Sequence, residues 1–290
     1  MDLKHFADDV GPVSPVTIAG LSTRGGPVTG VRCVSAPSGI DWLQADEMTI
    51  CCGAGTPVDQ IEQALRSVGQ RTVLPSGGTV GGALSAGRSS VRRLGDGPLR
   101  DAVLQVRYVS AGGSIVTAGG PTVKNVSGFD VCRLLVGARG TLGFMGEVIL
   151  RTRPLPLHSA WFSVVSDRPM EVFQRLHRPV AVLWDGARVW VLLEGHPLDV
   201  EAMALRCGLE QVDGPPPLPP ERTVMAPSAQ PALVDRLGVG AFVAELGVGV
   251  VHAETGALGR PAVADGVRRL SERITAQFDP TGRLNPGVRL

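Results

Sequence analysis

The chain has 290 residues, of which 28 are basic and 27 acidic, so its formal net charge at neutral pH is +1. At about 150 residues per domain this length predicts two domains, and the absence of a basic stripe argues against a nucleic-acid partner. No apolar run approaches the ~18 residues that would span a bilayer, and the N-terminus lacks a signal-peptide core. We therefore expect a cytoplasmic protein without direct membrane insertion.

The five cysteines predict reduced thiols and no metal centre. Their number is odd, and no two of them have the CxxC spacing of many zinc and iron–sulfur sites. Unpaired thiols are typical of a reducing compartment. We expect no structural zinc and no iron–sulfur cluster in this chain. The cysteines are Cys33, Cys51, Cys52, Cys132 and Cys207.

The first half of the chain predicts an α+β domain of short strands and glycine-rich loops. A helix is expected after Gly55, with Thr56 as its N-cap and Pro57 at its first position. An Ala111-Gly112-Gly113 turn between two β-rich runs predicts a hairpin. The predicted strands are residues 16–19, 31–36, 48–52, 103–109, 114–118 and 147–152, with a short helix at 130–135. The apolar face of the longer helix is Val58, Ile61, Leu65 and Val68.

Beyond Pro154 the pattern changes to that of a small α/β unit. Strands and helices alternate there, a proline-rich loop covers residues 213–220, and an amphipathic helix is expected at 262–278. The expected domains are residues 1–154 and 155–278, followed by a tail, 279–290, that returns to the first domain. The predicted strands of the second domain are residues 161–165, 181–184, 189–194 and 248–252, and its other helices are 170–177 and 198–206.

Three glycine-rich loops between Pro75 and Gly146 predict a ligand site. Residues 75–82 can present several backbone N–H groups to an anion in a nest that needs no lysine. Residues 119–130 add a lysine, an amide and a hydroxyl, and residues 137–143 follow. Glycine permits positive φ and close approach of the backbone to a ligand. Each loop taken alone is equally well explained as a surface turn.

A separate turn, Gly53-Ala54-Gly55, imitates the start of a GxGxxG dinucleotide fingerprint. Its third glycine position holds Val58, which would obstruct close packing of the helix on the strand. We interpret this turn as a tight strand-to-helix connection. No GxxxxGK[ST] motif occurs, which excludes a standard P-loop.

Rare residue types also fall in the loop segments. Lys124 is one of only two lysines, and Asn125 and Asn285 are the only asparagines. This placement indicates specific hydrogen-bonding roles. A solvent-facing lysine and a turn asparagine are the alternative explanation.

On these residues the chain resembles the FAD-binding domain of the vanillyl-alcohol-oxidase type, and particularly the FAD-binding subunits of bacterial glycolate oxidase (glycolate dehydrogenase). The resemblance covers residues 16–154 and the last dozen residues. It implies a two-lobed FAD-binding domain with a small, shortened α/β second domain. The motifs that carry it are Lys124-Asn125-Val126-Ser127-Gly128-Phe129-Asp130, residues 137–143, Glu147-Val148 with Pro154, Thr79-Val80-Gly81-Gly82, Arg100-Asp101 and residues 279–287.

The resemblance also implies a cofactor site. It places the FAD pyrophosphate mainly on backbone amides and the adenine end near Glu147 and Val148. Lys124 or Arg289 would supply positive charge beside the flavin ring. The implied cofactor-binding residues are Gly20, Ser22, Thr23, Thr79, Gly81, Gly82, Lys124, Asn125, Ser127, Gly128, Gly140, Glu147, Val148 and Asn285.

Three departures from the family pattern bear on function. The N-terminal loop at residues 20–25 is shorter and has fewer glycines than in the family, and Phe129 stands where a tyrosine is usual. The five histidines lack the close spacing of metal ligands. His252, at the end of a predicted strand, is the best acid–base candidate, and a structural histidine is the alternative.

The sequence therefore predicts an FAD-dependent oxidoreductase that oxidises a 2-hydroxy acid by hydride transfer to flavin. Because no catalytic histidine is evident, the expected setting is a complex with a larger FAD-containing catalytic subunit and an iron–sulfur subunit. Two alternatives stay open. One is a scaffold that keeps the fold and has lost the cofactor, and the other is a self-sufficient oxidase of another alcohol.

Overall fold

The computed structural model describes residues 2–121, 130–259 and 263–289. No helix within these ranges is both long and apolar enough to cross a membrane. The helices are α1 (Leu3–Val10), α2 (Val58–Arg66), α3 (Val80–Ala86), α4 (Arg93–Asp96), α5 (Val131–Leu135), α6 (Pro169–Arg175), α7 (Pro197–Cys207), α8 (Leu233–Leu237) and α9 (Asp265–Phe278). The strands are β1 (Val16–Ala19), β2 (Arg32–Ser35), β3 (Ile40–Gln44), β4 (Thr49–Gly53), β5 (Gln70–Arg71), β6 (Val103–Val109), β7 (Ile115–Gly119), β8 (Phe144–Arg151), β9 (Arg153–Pro154), β10 (His158–Val165), β11 (Ala181–Trp184), β12 (Arg188–Gly195), β13 (Glu210–Val212), β14 (Glu221–Val224), β15 (Phe242–Glu245) and β16 (Val250–Ala253).

The chain divides into two compact units. Unit 1 comprises Met1–Ser90, Pro98–Leu155 and Ala264–Leu290, and unit 2 comprises Val91–Gly97 and Pro156–Val263. The boundary expected at residue 154 differs from this division in one large element. Helix α9 belongs to unit 1, because Ile274 and Phe278 at its C-terminal end pack against the core of that unit.

Unit 1 is built on a five-stranded antiparallel sheet in the order β3-β4-β8-β6-β7. Strand β8 is its buried centre, and the predicted hairpin of β6 and β7 is confirmed. Strands β1 and β2 form a separate parallel pair, and the connection between them runs to the site described below. The sheet and the helices α2 and α3 enclose one apolar core.

Helix α2 begins one residue later than its sequence signals indicate. Pro57 is the N-cap, without a side-chain cap bond, so the predicted capping role of Thr56 is wrong. The Thr56 hydroxyl instead donates to Gly39 O at 3.0 Å and accepts from Gly39 N at 2.9 Å, which ties the turn to the start of β3. Val68 lies beyond the helix end and is 41% exposed, so the expected apolar face is shorter by one residue.

The sequence analysis missed helix α1. Asp2 caps it by accepting from His5 N at 3.0 Å. Its buried side chains pack with Phe144 and Leu284 in a second apolar cluster of unit 1. Residues at i, i+3, i+4 and i+7 are the signature of an amphipathic helix, and here they are Leu3, Phe6, Ala7 and Val10.

Unit 2 contains a seven-stranded sheet in the order β13-β10-β12-β11-β15-β16-β14, with antiparallel pairing throughout. The predicted strands in β10, β11 and β12 and the predicted helices α6 and α7 are confirmed. Strands β14 and β15 were not predicted, because each has only four residues and neither alternates between buried and exposed positions.

Candidate functional site

A cavity of about 370 Å³ lies in unit 1, which is within the range of small-molecule sites, roughly 300–1,000 Å³. Its walls come from the β1–β2 connection, the β4–α2 turn, helix α3, the loop before β8, and the C-terminal tail. The lining includes eight of the residues expected from the sequence, namely Gly20, Ser22, Thr23, Thr79, Gly81, Gly82, Gly140 and Asn285.

Arg24 holds the wall formed by the β1–β2 connection against the loop before α3. Its guanidinium donates to three consecutive carbonyls, Gly77 O at 2.7 Å, Ser76 O at 2.8 Å and Pro75 O at 3.0 Å. Burial lowers the pKa of Arg24 from its ordinary value. Gly78 has φ +70°, and the place a Cβ would take there is filled by Thr23 and Arg24. The Arg24 side chain thus holds the β1–β2 connection against residues 75–77.

The loop at residues 75–82 offers fewer free amides than the sequence indicated. Three of its N–H groups are used inside unit 1, so the expected nest is wrong for these amides. A fourth, the N–H of Gly77, donates to Asp59 Oδ1 at 3.3 Å. The three internal bonds are Val80 N to Thr56 O at 2.9 Å, Gly81 N to Ala54 O at 2.7 Å, and Gly82 N to the hydroxyl of its N-cap, Thr79, at 3.1 Å.

Asn285 joins three segments at the cavity wall. Its Oδ1 accepts from the Thr17 hydroxyl at 2.8 Å and from Ile18 N at 3.2 Å, and its Nδ2 donates to Arg139 O at 2.7 Å. Its backbone N–H donates to Val16 O at 2.9 Å. The rarity of asparagine in the chain therefore did mark a residue with several specific hydrogen bonds.

Strained backbone concentrates at this cavity. Among the described residues, five non-glycine positions have positive φ, and three of them line the cavity: Ser22 (54°), Arg139 (52°) and Asn285 (45°). Non-glycine residues in this region cost free energy and cluster at binding sites. The backbone here is therefore shaped for something other than stability alone.

The charge of the cavity is one-sided. Three arginines line it, Arg24, Arg88 and Arg139, while no aspartate or glutamate belongs to its lining among the described residues. These arginines were not predicted as site residues. A single arginine in a loop carries no local signal, and only the meeting of three loops shows its role. The wall suits an anion.

Other residues expected at the site lie elsewhere or outside the described ranges. Val148 is fully buried in the core of the sheet, and Glu147 is buried with its Oε1 at 3.3 Å from Arg107 Nη1. Arg289 is not part of the cavity lining. The residues outside the described ranges are Lys124, Asn125, Ser127 and Gly128.

His252, the acid–base candidate, lies on β16 of unit 2. Its Nε2 is 2.8 Å from Oε1 of Glu245 on β15, and Arg222 Nε is 4.0 Å from the same oxygen. Glu245 is 2% exposed, and its Oε2 has no hydrogen-bond partner among the described residues. The histidine is thus the partner of a buried carboxylate, which suits a structural role as well as a proton-transfer role.

Asp41, Cys51 and Glu147 converge on one face of the five-stranded sheet, and their ligand atoms lie within 4.8 Å of one another. Burial, together with the nearby carboxylates of Glu147 and Asp41, raises the pKa of Cys51 to about 12. A protonated thiol is a poor metal ligand, and Glu147 is paired with Arg107. We propose no metal site there.

Comparison with known proteins identifies the class. Residues 12–119 match the family model described as FAD binding domain. The fold is that of alkyldihydroxyacetonephosphate synthase, whose structure superposes with a TM-score of 0.62 at 13% identity, over 94% of this chain and 73% of that one. Residues 12–119 are therefore similar to FAD binding domains, and the predicted fold class is confirmed.

Among curated proteins, the glycolate oxidase subunit GlcE of Escherichia coli (strain K12) is 32% identical over 233 residues, which cover 73% of this chain and 65% of that protein. A D-lactate dehydrogenase of Archaeoglobus fulgidus is 36% identical over 115 residues, 39% of this chain and 26% of that enzyme. The chain thus spans about two-thirds or less of the length of these relatives.

The cavity fits FAD in its charge, because its cationic lining matches an anionic pyrophosphate. The lining glycines are required by packing within unit 1: a Cβ at Gly81 would lie 2.9 Å from Ala54, and one at Gly140 would lie 2.5 Å from Asn285 Nδ2.

Proposed function

We propose that this chain binds FAD in the cavity of unit 1 and acts as a flavoprotein subunit of a complex that oxidises a 2-hydroxy acid. The observation that carries the proposal is a cavity in the unit that matches the FAD binding domain, whose described lining residues include three arginines and no acidic residue. Glycolate and D-lactate, the substrates in the names of the two relatives, are both 2-hydroxy acids. This supports the substrate class.

FAD, when bound, supplies the hydride acceptor for the carbon–hydrogen bond next to the carboxylate. The chain's own residues bind and orient it. Arg24 fixes the loop at residues 20–26, and Asn285 fixes the carbonyl of Arg139 on the opposite wall. The positively charged arginine side chains would compensate the negative charge of the phosphates. Of the residues expected from the sequence, the eight in the lining are the proposed contacts, together with Lys124, Asn125, Ser127 and Gly128.

The hydroxyl proton of the substrate needs an acceptor. His252 is our candidate in this chain, held by its contact with Glu245 Oε1. The alternative is that a larger flavin-containing subunit performs the oxidation while this chain relays electrons, with an iron–sulfur subunit beyond it. The word subunit in the name of the Escherichia coli relative supports an assembly. The five free thiols fit the reducing cytoplasm, where we propose that the protein works.

The test is the visible spectrum of the purified protein, before and after addition of FAD, followed by gel filtration to remove free cofactor. We expect flavin absorption that stays with the protein. If no flavin co-purifies and none is taken up, the scaffold alternative replaces this proposal. The internal use of the Val80, Gly81 and Gly82 amides is the observation that favours that alternative.

A second experiment addresses the assembly. A tagged copy of the chain is purified from its native host, and the proteins that accompany it are identified. A larger flavoprotein and an iron–sulfur protein are the expected companions. Turnover of glycolate or D-lactate by the isolated chain with an artificial electron acceptor would instead show a self-sufficient enzyme, and His252→Gln would then test the proton acceptor.

A further inference from the structure

Arg88 and Arg139 are the two cations of the cavity that the fold itself does not use. Both are exposed at the cavity wall. Within residues 2–121, 130–259 and 263–289, neither guanidinium makes a hydrogen bond or an ion pair. Arg24 differs, because its guanidinium is engaged by three carbonyls. Within the described lining, the guanidiniums that bind no protein group are therefore those of these two arginines.

These two arginines leave the backbone next to each other at the C-terminal end of α3. Arg88 follows Gly87, the αL cap of that helix. The N–H of Arg139 donates to Ser85 O in the last turn at 3.0 Å, and the N–H of Gly137 donates to Leu84 O at 2.9 Å. The structure thus brings the backbones of the two arginines together beside the cavity although the residues are 51 positions apart in the sequence.

The backbone of Arg139 is held in its unusual conformation from both sides. Its N–H is bound by the Ser85 carbonyl, and its own carbonyl accepts from Asn285 Nδ2 at 2.7 Å. Its φ of 52° is unfavourable for a side chain with a Cβ. A strained residue fixed on both sides and directed at a cavity is a preorganised contact, which loses little freedom on binding.

Backbone capture of an anion is at the same time weakened in this chain. Val80, Gly81 and Gly82 spend their N–H groups on Thr56, Ala54 and Thr79. The loop at residues 20–25 has few glycines. At residues 80–82 an anionic ligand must therefore rely on side chains. Guanidinium is suited to this, because it matches phosphate oxygens with two parallel hydrogen bonds.

We propose that Arg88 and Arg139 bind the phosphate groups of the dinucleotide, so that this chain holds FAD by side-chain charge where backbone amides are not free. The inference rests on the proposed function and names the part of the ligand that these residues contact. It gives the two arginines a role in distinguishing phosphorylated from unphosphorylated flavins. It also predicts that salt weakens binding, because both side chains are exposed and screened.

The test is calorimetric titration of the apoprotein with FAD, riboflavin and ADP at low and high salt. The variants are Arg88→Gln, Arg139→Gln and their combination, and Arg268→Gln is the matched control. Arg268 lies on α9 of unit 1, is paired with Asp265, and does not line the cavity. The control therefore removes one positive charge without touching the site.

We expect each single variant to weaken FAD about tenfold, which corresponds to about 1.4 kcal/mol, and ADP by a similar factor. Riboflavin affinity should be unchanged, and salt should weaken FAD less in the double variant than in the wild type. Arg88→Lys and Arg139→Lys should recover part of the loss, since lysine keeps the charge but not the bidentate geometry. Thermal melts check that every variant is folded.

Several results would overturn the inference. One is a double variant that binds FAD as tightly, and with the same salt dependence, as the wild type. Another is an equal loss of FAD and riboflavin, which would place the arginines at the isoalloxazine. A third, seen when oxalate is titrated as an additional ligand, is weaker binding of oxalate with FAD binding intact, which would assign the arginines to a substrate carboxylate. If the wild type binds no FAD at all, the proposed function itself fails, and the two failures are thus distinguishable.

Discussion

Replacement of Asn285 tests how the cavity of unit 1 is held together. The residue is 8% exposed, and its side chain makes three hydrogen bonds, two accepted by Oδ1 and one donated by Nδ2. At about 0.5–1.5 kcal/mol for each bond, the loss of all three should lower the free energy of unfolding by about 2–4 kcal/mol. Asn285→Gly removes the side chain and accepts the φ of 45° without strain.

Asn285→Ala separates hydrogen bonding from backbone conformation. It loses the same three bonds and also places a Cβ at positive φ, so it should be about 1 kcal/mol less stable than Asn285→Gly. For a unit of this size, about 2–4 °C of melting temperature corresponds to 1 kcal/mol. We therefore expect Asn285→Gly to melt roughly 5–12 °C below the wild type and Asn285→Ala a few degrees lower still.

The assay is thermal unfolding of the apoprotein followed by circular dichroism, supported by urea titration. Gln277→Ala, an exposed change on α9, is the control and should leave stability within about 0.5 kcal/mol. Melting of Asn285→Gly within a degree or two of the wild type would refute the reasoning, because the three bonds would then contribute nothing. Equal stability of the two variants would refute the part that concerns φ.

Three further predictions concern packing, thiols and the buried carboxylate. Gly140→Ala should lower the free energy of unfolding by about 2–4 kcal/mol, because it adds a Cβ 2.5 Å from Asn285 Nδ2 at a residue with φ +73°. The control Gly282→Ala has a similar φ of +63° but open space around the new Cβ, so it should lower that free energy by only about 1 kcal/mol. Urea titration measures both values. Burial raises the pKa values of Cys51 and Cys52 to about 12. Iodoacetamide at pH 8, followed by peptide mass mapping, should therefore label the exposed Cys33 first, and earlier labelling of Cys51 in folded protein would contradict this. The free energy of unfolding should fall as pH rises from about 9 towards 12, because the two thiols lose their protons more readily in the unfolded chain. His252→Leu should destabilise unit 2 by about 3 kcal/mol, because it removes the group that lies 2.8 Å from the buried Glu245 carboxylate. The same substitution should lower the free energy of unfolding by less in a Glu245→Gln background. Equal losses of stability in both backgrounds would show that the contact contributes nothing.

Local signals in the sequence were sufficient for much of the fold. The β6–β7 hairpin and strands β10 to β12 follow from alternation and turn residues. The apolar face of α2 at Val58, Ile61 and Leu65 follows from helical spacing. Thr56 was misassigned, because the choice between capping a helix and binding Gly39 depends on a segment distant in sequence. The N-cap preference of threonine carries no information about its alternative hydrogen bonds to Gly39.

The cavity was predictable only in part. Glycines and the rare asparagine can be recognised in the sequence as site candidates, because these residue types serve a special backbone conformation or several hydrogen bonds. Gly20, Gly81, Gly140 and Asn285 do line the same cavity. Arginine is common in this chain, and many of its arginines serve the surface or the internal hydrogen bonds of the fold. Arg88 and Arg139 became visible as site residues only when two loops were seen to meet at the end of one helix. The internal use of the Val80 and Gly81 amides likewise depends on the β4–α2 turn, whose Ala54 and Thr56 carbonyls lie against the start of α3.

The bonds of the tail also constrain how the protein is made. Arg283 donates to Val10 O at 2.7 Å and to Ser14 O at 3.0 Å, and Asn285 binds Thr17 and Ile18, across more than 260 residues of sequence. On the ribosome, the segment at residues 10–18 must wait for these partners until residues 283–285 have been synthesised. Unit 2 consists of Pro156–Val263 and the short segment Val91–Gly97, and both emerge from the ribosome before residues 283–285. The flavin-binding half should therefore be the last to fold, and the period before it closes is when a chaperone, or the cofactor itself, has most influence on yield.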